Sequence, residues 1–577
     1  MYPSTIFNWH DNSGFDTTAT SANNDSAPLL MQVFSADKGT EDLIEITGTD
    51  FDAMYGTMSF ARHGQSAIQA KNIIDAGGRL YAKRVVAKDS TLANVVLIAK
   101  VSSDGDGIKI KWESQSIQNC KTFKEVKAAA EKLLNNEEGV YPIFVYSDNG
   151  RGVSGKAIRL NPDYATSKGS SHMFYSLNVY EGTNITEQTT ITVDPDVIWN
   201  NTAYRLDEYT NVQISGIVLP AAFELYAQKI ADELALDIDT VKSYDIVYGY
   251  TNKGAAIEKF SLADDSVDLD SENGIALAEG SNGEFGNAPV GTDAWTKAIV
   301  EVFKNENGDH DEVFDVDQHK IAAICDANYP DEVKNAIFDW VAFRKDCVFL
   351  RDFGTGLTTF AEIKAKYDGF IEKRNYFTAD YATSYMIADP NTKKTIEVTM
   401  MYDMAAILVD HIANNPHTPM AGTSNGFVLP SAIKGTINFV PTNTPKANQK
   451  EAMDNIRVNY ALFEDNQCVV QSCYSCQDAY TQLSYINNVM GIQRVLRAVR
   501  TACPRQRFSM STSSDLQTYA TAVNNVLANY VNSFATLNFK YTQDDLKTAQ
   551  KIFYASIEFA FLGWAQTEIF DVYAINN

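Results

Sequence analysis

The C-terminal end of the chain carries two closely spaced apolar segments, and these constrain its possible structure most strongly. Residues 552–562 alternate apolar and other side chains at the spacing of a β-strand. Residues 566–575 form a second β-prone segment with apolar side chains on both faces. Such a strand requires cover on both faces and hydrogen-bond partners at both edges. We therefore expect the end of the chain to pair either within its own sheet or with a sheet of another copy.

The composition indicates a folded, acidic protein with several domains. Its 577 residues are enough for roughly three or four domains of ordinary size. Apolar residues make up 45% and charged residues 21% of the chain, which is typical of a folded soluble protein. The formal net charge is −25, and a chain this acidic is repelled by a phosphate backbone. We therefore expect no nucleic-acid partner.

The sequence also gives expectations about membranes and redox compartment. No apolar run reaches the length of roughly 18 residues that a membrane helix requires. Residues 1–5 contain neither a basic nor an apolar region of the kind found in signal peptides. The seven cysteines are odd in number and sparse, which favours a reducing compartment over a disulfide framework. We expect no membrane insertion and no signal peptide.

Periodicity and turn residues predict a mixed α/β organisation. An extended polar leader occupies residues 8–28, and an acidic loop or linker occupies residues 264–274. Between 92 and 260 the chain is rich in strand patterns and glycine-containing turns. Other strands are predicted at 29–34, 80–86, 347–350 and 540–577. Helices are predicted at 65–76, 119–135, 221–235, 293–304, 398–413, 445–462, 477–500 and 513–534.

The segment from Gly150 to Ala157 comes closest to an enzyme motif. It matches the phosphate-loop pattern through Gly155 and Lys156, but Ala157 replaces the Ser or Thr that would hold magnesium. The residues that follow read as a strand that ends at Pro162, so no helix N-terminus faces a phosphate. We favour the alternative that this segment is a glycine-rich hairpin between two strands.

Two other segments resemble metal sites, and neither is complete. Cys473 and Cys476 have the spacing of zinc ligands, with Cys468 nearby, but no second pair stands at ligand spacing, so buried structural cysteines are favoured. Residues 268–274 resemble the start of a calcium loop, but the glycine is displaced and no glutamate follows at the twelfth position. We predict no catalytic residues, no metal and no cofactor.

A basic cluster is the exception to the acidic composition. Three of its arginines stand three residues apart on one predicted helix and form a stripe on its surface. The cluster consists of Arg494, Arg497, Arg500, Arg505 and Arg507. The stripe is either a solvated helix face or a positive contact surface for an acidic partner, which includes another copy of this chain.

Several short motifs follow one another along the chain in an order shared with one protein family. The N-terminal block consists of Asp50-Phe51, Tyr55-Gly56, a helix, and the run 77–85 with two glycines and two arginines. Further motifs lie at 150–160, at Arg344 with Cys347 and Asp352, at 426–435, at 454–476, on the Arg494 helix, and at 565–569. In this order they resemble the contractile tail sheath proteins of myovirus-type bacteriophages.

The resemblance implies a multi-domain α+β fold, with a mixed α/β core built from N- and C-terminal regions. The implied regions are an extended N-terminal arm (1–27), an N-terminal sheath region (28–91), an inserted β-rich outer domain (92–275), a middle α/β domain (276–440), a C-terminal core domain facing the tube (441–564) and a C-terminal strand arm (565–577).

The resemblance further implies a structural protein that is not an enzyme. Subunits of the family stack as hexameric rings around an inner tail tube, contract to drive the tube through the host envelope, and meet baseplate and tail terminator proteins at the ends. Their terminal strands complete sheets of neighbouring subunits. The implied arm residues are Ile6, Phe7, Glu568, Ile569, Phe570, Val572, Tyr573 and Ile575, and the arginine cluster contacts the tube or another subunit. The implied location is the phage tail of the virion, after assembly in the host cytoplasm.

Three other functions remain open at the level of the sequence. The same architecture serves in contractile injection systems and in tailocins. A different self-assembling shell or surface-layer protein is a second alternative. A nucleotide-binding enzyme with Lys156 at its phosphate site is the third and the least favoured, because that motif lacks both its helix and its hydroxyl.

Overall fold

The structure is a computed structural model, and its described residues form the basis for all that follows. These residues are 29–48, 51–103, 105, 107–134, 139–168, 172–194, 197–199, 202–203, 215–502, 513–542 and 554–561. The N-terminal part forms β1 (Leu29–Phe34), β2 (Ile44–Thr47), α1 (Phe51–Tyr55), α2 (Phe60–Asp75) and β3 (Arg79–Arg84).

The next part, residues 92–281, contains most of the strands and is called the inserted domain below. Its elements are β4 (Asn94–Ser103), β5 (Ile108–Gln115), α3 (Phe123–Leu133), β6 (Val140–Ser147), β7 (Lys156–Pro162), α4 (Tyr164–Ser167), β8 (Tyr175–Glu181), β9 (Asn184–Ile191), β10 (Ile198–Trp199), β11 (Thr202–Ala203), β12 (Ser215–Val218), α5 (Pro220–Leu234), α6 (Ile238–Lys242), β13 (Phe260–Leu262) and β14 (Ile275–Ala276).

The remaining elements alternate between helices and strands, and together with the N-terminal part they form the main body. They are α7 (Asp293–Lys304), α8 (Asp311–Phe314), β15 (Ile321–Cys325), α9 (Asp331–Arg344), β16 (Val348–Asp352), α10 (Phe360–Gly369), β17 (Thr378–Tyr381), β18 (Ser384–Ala388), β19 (Thr395–Thr399), α11 (Met401–Asn414), β20 (Asn443–Thr444), β21 (Ala447–Asn448), α12 (Gln449–Asn455), β22 (Val458–Asn459), β23 (Ala461–Glu464), β24 (Gln467–Val470), α13 (Ile486–Ala502), α14 (Ser513–Ala528), β25 (Thr536–Thr542) and β26 (Tyr554–Ala560).

A seven-stranded sheet forms the centre of the main body. Its strand order is β2-β3-β1-β15-β16-β17-β22, and every pair is parallel except β2 with β3. The inner strands are buried along most of their length, because helices and loops cover both faces of the sheet, and polar residues such as Gln32, Lys83 and Asp380 are buried among the apolar ones. All five residues of β15 are buried, and so are all five of β16. The sheet therefore joins segments that are far apart in the sequence.

The inserted domain has its own sheets and its own apolar core. A five-stranded sheet runs β12-β6-β4-β5-β13, and a four-stranded sheet runs β14-β7-β8-β9. Helix α5 contacts β6, β4 and β5, and Phe223, Tyr226 and Ile230 on its inner face are buried. The core of this domain is separate from the core of the main body. A multi-domain, mixed α/β fold is thus observed, as the sequence predicts.

Most predicted elements are confirmed, and two predicted helices are confirmed over only part of their predicted range. Strand 29–34 and helix 293–304 have the predicted bounds. The helix predicted at 445–462 is wrong beyond Asn455, because Arg457 has a left-handed φ of 52° and strands β22 and β23 follow. The helix predicted from 477 begins at Ile486 instead. The domain boundaries stay predictions, although strands from three of the predicted regions share the central sheet.

Candidate assembly surface

The hairpin of β25 and β26 forms a separate two-stranded sheet near the end of the described chain. Leu537 lies opposite Phe559, and Phe539 lies opposite Ile557, so one face of the hairpin is apolar. These four side chains are half-buried against the core of the main body. On the opposite face the polar residues Thr536, Asn538, Lys540, Ser556 and Glu558 are exposed. Lys540 donates to Glu558 Oε1 at 2.6 Å across the strands.

Three aromatic rings attach the hairpin to the main body. Phe534 precedes β25, and its ring meets those of Phe559 and Phe561 edge-on, with centroids 5.3 and 5.2 Å apart. The centroid of the His417 ring lies 6.3 Å from that of Phe534. The backbone N–H of Phe561 donates to Gln482 Oε1 at 3.2 Å. These contacts therefore fix the base of the hairpin.

Both outer edges of this hairpin are unpaired within the described part of the chain. Neither β25 nor β26 has a second partner strand there. An isolated two-stranded sheet is of marginal stability in water, and an open edge presents a row of backbone donors and acceptors. Sequence reasoning identified the strand character of 552–562 but not its partner β25.

The predicted arm residues lie outside the described residues. This holds for Ile6 and Phe7 at the beginning of the chain and for the whole C-terminal set, which is Glu568, Ile569, Phe570, Val572, Tyr573 and Ile575. Their part in pairing between subunits stays a prediction.

Comparisons with known proteins give matches in structure but not in sequence. No protein-family model matches the sequence, and no curated protein matches it. The crystal structure of a sheath tail protein from Desulfitobacterium hafniense is similar to this chain at 9% identity and a TM-score of 0.43, and the similarity covers 92% of this chain and 93% of that one.

Two contracted assemblies also contain similar chains. For the helical sheath of the anti-feeding prophage, the identity is 14%, the TM-score is 0.37, and the similarity covers 49% of this chain and 76% of that one. For the PVC sheath complex of an extracellular contractile injection system, the identity is 14%, the TM-score is 0.36, and the shares are 44% and 71%.

Arg494 and Arg497 of the basic cluster donate hydrogen bonds to backbone carbonyl oxygens of the same chain. Arg494 donates to the carbonyl oxygens of Ala413 and Asn414, at 3.1 and 3.3 Å, where α11 ends. Arg497 donates to the carbonyl oxygen of Asp346 at 2.7 Å, and burial lowers the pKa of its guanidinium to about 10. All three arginines on α13, Arg500 included, are half-buried. A contact with the tube or another subunit stays a prediction, and Arg505 and Arg507 lie outside the described residues.

The glycine-rich segment is a connection between two sheets, which corrects the predicted hairpin. It links β6 of the five-stranded sheet to β7 of the four-stranded sheet. Lys156 lies at the start of β7 and donates to Asp148 Oδ1 at 2.8 Å, with both side chains buried. A lysine held in this way is not free to bind a phosphate. A strand follows it, where a phosphate loop would have a helix.

The two segments that resemble metal sites in the sequence have structural roles in the fold. Cys468, Cys473 and Cys476 are buried free thiols, and burial raises the pKa of Cys473 to about 12. Asp270 accepts from Arg159 Nε at 2.6 Å, so its carboxylate is already paired. Among the described residues, no group of His, Cys, Asp and Glu side chains is arranged to hold a metal ion. No helix in the same residues is long and apolar enough to span a membrane.

Sequence reasoning missed a buried polar network at the carboxyl ends of β15 and β16. Lys334 donates from Nζ to Asp326 Oδ2 at 2.8 Å and to Asp352 Oδ1 at 2.5 Å. Thr399 donates to Asp352 Oδ2 at 2.8 Å, and its own N–H donates to Gln65 Oε1 at 2.9 Å. The network joins α2 of the N-terminal part to the later strands. Every charge in it has partners inside the protein, and it has the properties of a structural cross-link.

Proposed function

We propose that this chain is the subunit of a contractile sheath that polymerises by exchanging strands between copies. In the fullest form of the proposal, subunits form hexameric rings stacked around an inner tube. Contraction of the stack then drives the tube through an envelope. The location would be the tail of a phage virion, with a tube protein inside and with baseplate and terminator proteins at the ends.

One observation carries the proposal, namely the open hairpin of β25 and β26. Its apolar face lies on the core, its polar face is exposed, and both edges lack partners among the described residues. The sequence that ends at Asn577 contains a β-prone segment at 566–575 that needs a sheet. A donated strand would gain a row of backbone hydrogen bonds at an open edge. It would also bury apolar side chains, each worth about 1.5–3 kcal/mol when fully covered.

The order of sheath motifs along the sequence is the second support. The N-terminal block and the motif at Arg344, Cys347 and Asp352 belong to the central part of the main body, where Arg344 and Asp352 are buried. In the proposed mechanism the bodies of the subunits move during contraction while the exchanged strands keep them joined. The strand connection is stronger than the charge-dependent contacts between body surfaces, because salt screens exposed charges.

The first test is an image of the purified chain. Under the proposal, negative-stain electron microscopy shows hollow cylinders with regular cross-striations. Flat sheets would favour a surface-layer or shell protein, and dispersed monomers at every concentration and salt would contradict polymerisation. Titration of the protein with a nucleotide tests the enzyme alternative, in which Lys156 would bind a phosphate. No specific observation supports that alternative.

The second test removes the proposed donor strand. A chain ending at residue 565 is expected to keep its circular dichroism and melting temperature but to form no cylinders. The matched control removes only Asn576 and Asn577, which are polar and lie beyond the apolar segment. This control is expected to polymerise normally. If the chain ending at residue 565 formed normal cylinders, strand donation by the C-terminus would be wrong.

A contractile injection system or a tailocin is the second candidate within the same architecture. One of the similar solved structures is the sheath complex of an extracellular contractile injection system. The subunit mechanism is the same in each case, so the images above do not separate them. Purification of the native particle decides the matter, because a phage tail is attached to a filled or emptied capsid and the other two are not.

A further inference from the structure

The segment 150–155 lies at the junction of the inserted domain and the main body. Arg84, the last residue of β3 in the main body, is 2% exposed and projects into this junction. Its guanidinium donates to three carbonyl oxygens, those of Ala36 at 3.1 Å, Gly39 at 2.9 Å and Arg151 at 2.7 Å. Two of these carbonyls belong to the main body and the third to the inserted domain. One buried arginine therefore bridges both domains.

The backbones of the two domains approach more closely here than a side chain would allow. A Cβ atom on Gly150 would lie 1.8 Å from the carbonyl oxygen of Gly39 and 2.9 Å from Arg84 Nη1. Neither neighbour can yield, because one is backbone and the other is a buried guanidinium with several hydrogen bonds. Glycine at position 150 is thus required for the contact with the main body, and phosphate binding is not the reason for its presence.

Two ion pairs across the junction reinforce this contact. Arg151 binds Glu41 of the main body through its side-chain Nε at 2.9 Å and its backbone N–H at 3.1 Å, both to Oε1. Lys38 of the main body pairs with Glu181 at the end of β8. Burial of the junction opposes ionisation of Glu41, but Arg151 and Arg84 outweigh it, so the pKa of Glu41 lies below its ordinary value. The carboxylate form that the contact requires is therefore favoured.

We propose that the segment 150–155 is an interdomain latch that holds the inserted domain in one orientation on the main body. The latch acts through Arg84, Gly150 and the Arg151–Glu41 pair. With the latch closed, the two domains move as one rigid body. With it open, they would be joined chiefly by the two chain connections near residues 87–91 and 281–286. This inference holds for the single chain and does not depend on the proposed polymer.

The test measures the distance between the domains. Spin labels are attached at Ala128→Cys on α3 and Ala361→Cys on α10, both at exposed positions. The six described cysteines are buried, and Cys503, outside the described residues, is replaced by Ser. Labelled chain is diluted into unlabelled chain so that distances within one molecule dominate. Pulsed electron resonance is expected to give a single narrow distance, and a broad distribution in this parent protein would overturn the latch.

Substitutions then compare a closed latch with an open one. Gly150→Ala is expected to broaden or shift the distance distribution, whereas Gly155→Ala is not, because a Cβ at Gly155 meets no atom within 4 Å. Should Gly150→Ala fail to fold, Glu41→Gln and Arg84→Lys provide milder tests, since each keeps the backbone contact. An unchanged narrow distribution in Gly150→Ala, or in both milder variants if Gly150→Ala does not fold, contradicts the proposal.

Discussion

Lys334 on α9 donates to Asp352 at the end of β16 across 2.5 Å, and neither side chain is more than 1% exposed. The same ammonium also donates to the backbone carbonyl of Asp352 and to Asp326. Two carboxylates thus share one buried cation at the carboxyl edge of the parallel sheet. Removing the cation would leave two like charges in a site from which water is excluded.

Lys334→Met is expected to destabilise the main body severely. Loss of one partner from a buried ion pair costs about 3–5 kcal/mol. Urea denaturation of the unpolymerised chain, monitored by tryptophan fluorescence, measures this loss of unfolding free energy. Lys364→Met is the control, because Lys364 lies on the exposed surface of α10, where such pairs contribute at most about 1 kcal/mol. Equal losses in the two variants would contradict a structural role for Lys334 and its partners Asp326 and Asp352.

Acid is expected to destabilise the protein through two histidines, of which His411 is buried and His417 is half-buried. Burial lowers the pKa of His411 from 6.5 to about 3, and burial together with Arg494 lowers that of His417 to about 4. Below pH 6.5 the unfolded chain therefore binds protons that the folded chain does not, so stability falls as the pH falls from 6.5 towards 4. The loss is at most about 1.4 kcal/mol per pH unit for each histidine.

Denaturation midpoints at pH 7, 6 and 5 measure this dependence. His411→Leu removes one of the two groups and is expected to reduce the slope of stability against pH. An unchanged slope in that variant would mean that other groups control the acid sensitivity. The ring of His411 lies edge-on to Phe427, with centroids 4.8 Å apart, so the leucine fills an apolar site.

Arg494→Glu is expected to weaken the fold before it affects any partner. The substitution removes the hydrogen bonds to the last carbonyls of α11 and places a negative charge at the negative end of that helix. The expected loss is about 1–3 kcal/mol, measured as a lower melting temperature. Arg494→Gln, which adds no charge, is expected to lose less. A tube-binding defect can be assigned to the contact itself only in a variant that melts normally.

The described cysteines are expected to resist alkylation in the folded protein. All six are buried, and burial raises the pKa of Cys468 and Cys473 to about 12, so little reactive thiolate is present at pH 8. Iodoacetamide at pH 8, followed by peptide mass spectrometry, is expected to modify them after denaturation and not before. Rapid modification of Cys473 or Cys476 in the folded state would contradict the role of buried structural cysteines.

Elements whose residues agree with their surroundings could be predicted from the sequence. Helix α7 has the predicted bounds because Thr292 caps its first turn, accepting from the N–H of Trp295, and its apolar residues face one side. Strand β1 is apolar except for Gln32 and lies in the centre of a sheet. In both cases the local pattern and the tertiary environment favour the same structure.

Elements that depend on distant partners could not be predicted. Val458 and Asn459 form β22 because they pair with Asp380 and Tyr381, which are far away in the sequence. The buried network was missed for a related reason, since Gln65 and Lys334 look like surface residues until their partners are known. Only one strand of the hairpin could be predicted, because the pattern of β26 is visible in the sequence and its pairing with β25 is not.

The interleaved central sheet has a consequence for the order of folding. Strand β1 lies between β3 and β15, and the whole inserted domain separates the last two in the sequence. Closing so long a loop in an unstructured chain is entropically costly and slow. Once the inserted domain has folded, the N–H of Thr91 meets the carbonyl of Ser281 at 3.0 Å, and its two ends leave side by side. If the inserted domain folds early, it shortens the loop between β3 and β15. The central sheet can then form more readily around β1.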